Sequence, residues 1–186
     1  DQQTLELKQT IETIPGKNVF VVVFLPDSHQ FVACGQSNLL SLCDADTGES
    51  LRQIETPFDG TIEFMTLSPD RSRLLASGGD GRIVQLNLDD FSVFAQRKAS
   101  SRTIPMAKYS ADGRKIACVG MDDTLHILDA DTLEELLSWH NLDAIHTVLM
   151  TPANSVVIGD SGGVISRLGI VDMGKDLYGG EWECCL

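Results

Sequence analysis

Basic residues are scarce in this chain: 14 Lys and Arg stand against 27 Asp and Glu, for a net charge of -13. Such a surface repels polyanions before any specific contact forms, so nucleic acid is not expected as a partner. Long apolar runs are also missing. The longest, Val19 to Leu25, falls far short of the roughly 20 residues that span a bilayer, and a basic-then-apolar leader before Asp1 is not expected. The expectation is a soluble chain without a membrane partner. Histidines number four. His140 and His146 flank Asp143, but no further ligands stand at a recognised metal spacing, so neither a metal nor a cofactor is expected.

Cysteine is present without the pattern of a disulfide framework. There are five, an odd number; Cys34, Cys43 and Cys118 lie in apolar stretches, and Cys184 and Cys185 are adjacent. Reduced, buried thiols and a cytoplasmic setting are the expectation. The ending Glu183-Cys184-Cys185-Leu186 is not a prenylation signal, because that motif needs its cysteine where Glu183 stands. No methionine opens the chain, so Asp1 is not expected to be a natural start, and the chain is expected to be part of a larger multidomain protein or complex.

What the chain does have is a repeat. The segments "FLPDSHQFVACG" (24–35), "LSPDRSRLLASG" (67–78), "YSADGRKIACVG" (109–120) and "MTPANSVVIGD" (150–160) align through Pro26, Pro69, Ala111 and Pro152, in steps of 43, 42 and 41. A second series keeps the same beat: "DQQTLEL" from Asp1, "DADTGES" from Asp44, "NLDDFSV" from Asn87 and "DADTLEE" from Asp129. Short apolar stretches separated by turn residues, four to a period, read as β-strands. In one unit these are Ile62–Leu67, Arg73–Ser77, Arg82–Leu88 and Ser92–Arg97, an antiparallel meander. Cys34 and Cys118, in "VACG" and "IACV", are read as occupying the same repeat position.

This unit resembles the WD-repeat family, whose blades carry four strands in about 40–45 residues. "LSPDRSRLLASGGDGRIVQLN" is similar to a family blade, and Asp80 and Asp122 match its turn aspartate, each seven residues before the position closing the third strand. The resemblance implies an all-β fold, a β-propeller of four-stranded antiparallel blades, about four of them visible and open to being part of a larger ring. The divisions are 1–14 as the outer strand of a preceding or closing blade, 15–57, 58–99, 100–140 and 141–172 as blades, and 173–186 as a C-terminal tail. Two closures stay open: a ring sealed by residues 4 to 11 against Val164–Leu168, or an arc of a larger ring. The family's tryptophan is replaced by Cys43, Leu86, Leu128 and Leu168, and its Gly-His pair is missing, with His140 the only trace. The family's His–Asp–Ser–Trp hydrogen-bond network therefore cannot be complete, and apolar packing is expected to hold the blades instead.

One pentapeptide invites another reading. Gly159-Asp160-Ser161-Gly162-Gly163 resembles the segment carrying the nucleophile of trypsin-like proteases, which needs a histidine base and a carboxylate. His29, the histidine at a suitable distance, sits inside the repeat's own first turn, and the repeat alignment puts Ser161 in a tight turn with Gly162 and Gly163. "SGGDGR" (77–82) is glycine-rich but leads into a strand, whereas a phosphate loop leads into a helix. No catalytic residue is assigned. The acidic pairs Asp89-Asp90, Asp122-Asp123 and Glu134-Glu135 read as solvated.

A propeller presents loops around one rim, so the expected function is a non-catalytic protein-interaction scaffold or sensor module in signalling. The family's partner-contacting positions carry over to Phe20, Glu63 and His146, after the opening of the first strand, and to Asn38, Arg82 and Asp123, in or beside the turn between strands two and three. Asp80, Asp122, Gly162 and Gly163 are turn residues. The acidic rim suits a basic segment of another protein. The alternatives are a periplasmic or surface-layer propeller associated with a redox enzyme, and an enzyme in its own right.

Overall fold

The computed structural model describes residues 6–152 and 155–170. These form 15 strands and no helix, and so no helix long and apolar enough to cross a membrane. The first sheet contains β1 (Val19–Phe24), β2 (Gln30–Gly35), β3 (Leu39–Asp44) and β4 (Ser50–Glu55). The second contains β5 (Ile62–Leu67), β6 (Arg73–Gly78), β7 (Arg82–Asn87) and β8 (Val93–Lys98). The third contains β9 (Met106–Tyr109), β10 (Lys115–Val119), β11 (Thr124–Asp129) and β12 (Glu135–His140). The fourth contains β13 (Ile145–Met150), β14 (Ser155–Asp160) and β15 (Ile165–Gly169). Every sheet is a meander of sequence neighbours, and the first strands β1, β5, β9 and β13 pack against one another in that order.

Period-2 alternation makes each middle strand two-sided, and the sheets bury both sides against their neighbours. Leu40, Ile54 and Cys34 of the first sheet meet Met65, Leu74 and Leu86 of the second. Leu75 and Ile83 then meet Ala107, Ile116 and Leu128 of the third, and Ala117 and Leu125 meet Val148, Val156 and Ile158 of the fourth. At about 1.5–3 kcal/mol for each large aliphatic side chain fully buried, these interfaces dominate the stability of the array. The two cysteines thus lie on opposite sides of their sheets, Cys34 toward the following blade and Cys118 toward the preceding one. They do not share a repeat position: counted from Phe24 and Tyr109, Cys34 corresponds to Val119. Both are buried and free, as is Cys43.

The "DADT" turns are built by their first residue. Asp44 Oδ1 accepts from the amides of Asp46 (2.9 Å) and Thr47 (2.8 Å), and Asp129 Oδ1 from those of Asp131 (3.0 Å) and Thr132 (2.9 Å). These bonds bring both carboxyls below the usual carboxylate range. The turn's fifth position is left-handed in all three blades that show it, and Phe91 and Leu133 accept that conformation while burying their side chains against the preceding blade.

Residues 6–12 form no strand, which corrects the outer strand expected over 1–14 as far as the described residues go. Their position nevertheless follows the repeat. Ile11 packs on Phe31, Ala33 and Cys43 at the free side of the first sheet, and Ser41 Oγ donates to the Thr13 carbonyl at 2.6 Å. Ile54, 43 residues on, makes the equivalent contact with the second sheet. The strand lacks its ladder because the sheet it would join does not stand beside it. Closure by residues 6–11 against β15 does not occur: among the described residues β15 pairs with β14 alone. Residues 4 and 5 and the tail from 173, with Cys184 and Cys185, lie outside the described residues.

Candidate interaction faces

Each sheet has two ends. At one lie the starts of the first strands and the turns between second and third strands. At the other lie the Ser-Pro-Asp turns and the "DADT" turns.

On the first face the register slips by one residue at the start of three inner strands. Val19 pairs with Gly35 and Val21 with Cys34, leaving Phe20 out of register; Glu63 is skipped between Ile62 and Phe64, and His146 between Ile145 and Thr147. A bulge re-aims its side chain away from the alternation of the strand, and bulges concentrate at rims and beside sites. Phe20 and His146 are exposed, and Glu63 is half-buried, its Oε1 accepting from Thr61 Oγ1 at 2.6 Å. β9 has no bulge, and Pro105 stands at the equivalent place.

The other three expected contact residues are engaged in turn structure. Arg82 Nε is 3.2 Å from Asp80 Oδ2. The Asn38 carbonyl accepts from Thr56 N at 3.0 Å and Thr56 Oγ1 at 2.6 Å. Asp123 is left-handed (φ 67°), the place taken by glycine in the second and fourth blades. Gly162 and Gly163 lie with exposed Ser161 in the β14–β15 turn, where the Ser161 amide donates to the Ala144 carbonyl at 2.9 Å. His29, hydrogen-bonded to the Asp46 side chain, belongs to the opposite face of the first blade. A protease pairing of Ser161 with His29 is thereby excluded in this arrangement.

The turn aspartates have partners after all, correcting the expectation that apolar packing stands alone. Asp80 Oδ2 accepts from the Asp59 amide (2.9 Å), Asp122 Oδ2 from Ser100 Oγ (2.7 Å) and the Ser101 amide (3.0 Å), and Asp160 Oδ2 from Asn141 Nδ2 (3.1 Å). In each blade the donor comes from the loop leading into the inner strand. Burial pushes the Asp122 carboxyl up, but the Ser100 and Ser101 bonds outweigh it and its pKa is lowered. Asp122 is thus a structural acceptor, not part of a solvated acidic pair.

Sequence reasoning passed over the second face. A cleft of about 120 Å³ lies between the Ser68-Pro69-Asp70 turn of the second blade and the Ser110-Ala111-Asp112 turn of the third, lined by Asp70, Arg73, Tyr109, Asp112 and Asp131 among others. Arg73 Nη1 bridges to Asp131 Oδ1 at 2.8 Å and its guanidinium stacks on Phe94 at 3.6 Å. Gln85 Nε2, fully buried, donates to the Tyr109 hydroxyl (2.8 Å) and the Ala130 carbonyl (2.9 Å), tying the two blades together. Burial raises the Tyr109 hydroxyl to about 12, so it stays protonated. With Arg73 paired to Asp131 and the Tyr109 hydroxyl held by Gln85, the cleft lies at a tied junction between blades. Among the described residues, no group of three or more His, Cys, Asp or Glu is placed to hold a metal ion.

No family model matches the chain. Over 138 residues it is 28% identical to a WD repeat-containing protein WDS homolog of Arabidopsis thaliana, covering 73% of this chain and 26% of that protein. The solved WD40 beta propeller domain of Doa1 superposes with a TM-score of 0.72 at 14% identity, over 81% of this chain and 50% of that one. The four sheets share the fold of WD40 propeller blades. The chain spans about a quarter of the length of the curated relative and half of the structural one.

Proposed function

We propose that the chain is a non-catalytic protein-interaction platform, binding a basic segment of another protein on the face formed by the inner-strand starts. The observation that carries this reading is the bulge repeated at Phe20, Glu63 and His146, which turns an aromatic, a carboxylate and an imidazole out of register on the first, second and fourth blades at one rim. Net charge of -13 supports a basic partner through long-range attraction. Repeated blades suit this work, since a rigid array presents many loops at once. Three buried free thiols support a reducing, cytoplasmic setting.

The test is a panel of basic and acidic peptides titrated against the protein by fluorescence anisotropy. Basic peptides should bind, more weakly as salt rises, and Glu63→Lys and Phe20→Ser should each weaken them without changing the melting temperature. Equal binding of acidic peptides, or indifference to both substitutions, refutes the reading.

A further inference from the structure

The junction between the second and third blades is built unlike its neighbours. On the face that a blade turns toward the next, three positions recur in steps of 43 and 42 residues: Cys34, Ser77 and Val119; Leu42, Gln85 and Ile127; Ile54, Arg97 and Trp139. In the first blade these side chains join Leu40 in packing on the second, and in the third they join Leu125 in packing on the fourth. In the second blade the same positions are polar. Ser77 and Arg97 both pair across the sheet with Ile83, and Gln85 pairs with Leu75, so all three share the face whose apolar residues meet the third blade. Opposite them, His126 pairs with Cys118 on the third blade's near face, its Nδ1 2.7 Å from Glu135 Oε2. Among the described residues, six buried side-chain N or O atoms lack a hydrogen-bond partner, and five belong to this junction: Ser77 Oγ, Gln85 Oε1, Arg97 Nε, Asp122 Oδ1 and His126 Nε2. The bonds that Gln85 Nε2 and Arg73 make to the third blade leave all five unpaired.

We propose that this junction is a seam at which the array opens, the first and second blades parting as one unit from the third and fourth. Sub-global opening proceeds where closed contacts are worth least, and water entering an open seam satisfies groups that closure leaves unpaired. The two flanking junctions gain nothing of the kind on opening: Cys34, Leu42 and Ile54 in one, and Val119, Ile127 and Trp139 in the other, would only expose apolar surface. The seam also bears on the binding face, and in this it rests on the reading proposed above. Phe20 and Glu63 stand on one side of it and His146 on the other. A basic segment that touches both sides binds the closed array and holds the seam shut.

Two buried thiols report on two junctions separately, Cys34 on that between the first and second blades and Cys118 on the seam. The test is labelling of the full 186-residue chain by a thiol reagent in urea well below the unfolding midpoint, each cysteine followed by peptide mass mapping. Cys118 should react faster than Cys34 and with a shallower dependence on urea, because opening the seam exposes less surface than unfolding does. Ser77→Val and Arg97→Ile, which place at the seam the residue types of Val119 and Ile54, should each slow Cys118 by about fivefold or more. Should one of them lose its cooperative melt, the other decides. Ile54→Val, outside the seam, should speed Cys34 and leave Cys118 unchanged. Equal rates and urea dependence at the two cysteines, indifference of Cys118 to the seam variants, or an equal effect of Ile54→Val on both each overturns the proposal. A basic peptide that binds by anisotropy should slow Cys118 further, and a bound peptide without that effect overturns the link to the binding face. If no basic peptide binds, the reading of that face fails, while the labelling without peptide still decides the seam.

Discussion

The turn between the second and third strands allows the cost of backbone strain to be separated from the cost of steric collision. Gly81 (φ 81°) and Gly163 (φ 77°) are repeat equivalents in left-handed conformation. A β-carbon at Gly163 meets nothing within 4 Å, whereas one at Gly81 falls 2.2 Å from the Ser100 carbonyl oxygen and 2.6 Å from that of Arg102. Gly163→Ala should therefore cost only the left-handed penalty of about 1–2 kcal/mol. At roughly 2–4 °C per kcal/mol for a domain of this size, that is a fall in Tm of about 2–8 °C. Gly81→Ala bears the same penalty and must also displace main chain. The displaced loop is the one whose Ser100 Oγ holds Asp122 at 2.7 Å, a bond to a charged group of about 1.5–3 kcal/mol. The expected total is about 2.5–5 kcal/mol, read by urea or thermal denaturation. Ser100→Ala should then cost less in the Gly81→Ala background than in the wild type, since the two lose the same bond. Equal losses at the two glycines, or strict additivity with Ser100→Ala, would refute the reasoning.

Burial raises the Cys34 thiol to about 12 and the Cys43 and Cys118 thiols above their ordinary value, so all three should resist thiol reagents until denaturant is added; rapid native labelling of any of them contradicts the packing described. The carboxyls of Asp44, Asp70, Asp90, Asp112, Asp122, Asp129 and Asp160 are all lowered, Asp70 to about 2 through its bonds from Ser68 and Ser72. Carboxyls that bind protons more weakly when folded stabilise the fold above their unfolded pKa. Thermal stability should hold above about pH 5 and fall as pH drops from about 4 toward 2; a rising Tm in that window contradicts the assignment. Ser161→Ala should leave stability within about 0.5 kcal/mol and the native protein inert to organophosphates, and stoichiometric labelling of Ser161 would sink its reading as a turn residue.

The propeller was legible because its signal is redundant. Proline-type turns, "DADT" turns and apolar strands each recur with nearly one period, so an error in any single strand cannot disturb the count. Face assignment is less forgiving, since a strand alternates with period 2 and a one-residue slip moves a side chain to the other side. The Ala-Cys dipeptides of "VACG" and "IACV" invite alignment with one another. Counting from the turns instead places Ala33, Ala76 and Cys118 together, as the clusters require. Bulges are hidden for a related reason: whether Phe20, Glu63 or His146 leaves the ladder depends on how two strands meet, and no single strand records it.

The turn aspartates carry this argument further. A half-buried carboxylate requires donors, but it does not require a particular residue to supply them. In the second blade the donor is a main-chain amide at Asp59 and in the third a serine hydroxyl with an amide behind it; in the fourth, where Gly162 holds the repeat position of Asp80 and the carboxylate is Asp160 two residues earlier, it is the Asn141 side chain. A sequence comparison that looks for one donor type finds the network absent, because the physical requirement is met by three different groups from the same loop. In the first blade the requirement itself is reduced: Ser37 replaces the aspartate, and its hydroxyl accepts from the Leu39 amide at 3.1 Å, as Asp80 does from the Arg82 amide at 3.0 Å. What the repeat preserves at this turn is an acceptor that closes it, and where that acceptor is charged, the preceding loop supplies a donor of whatever kind lies within reach.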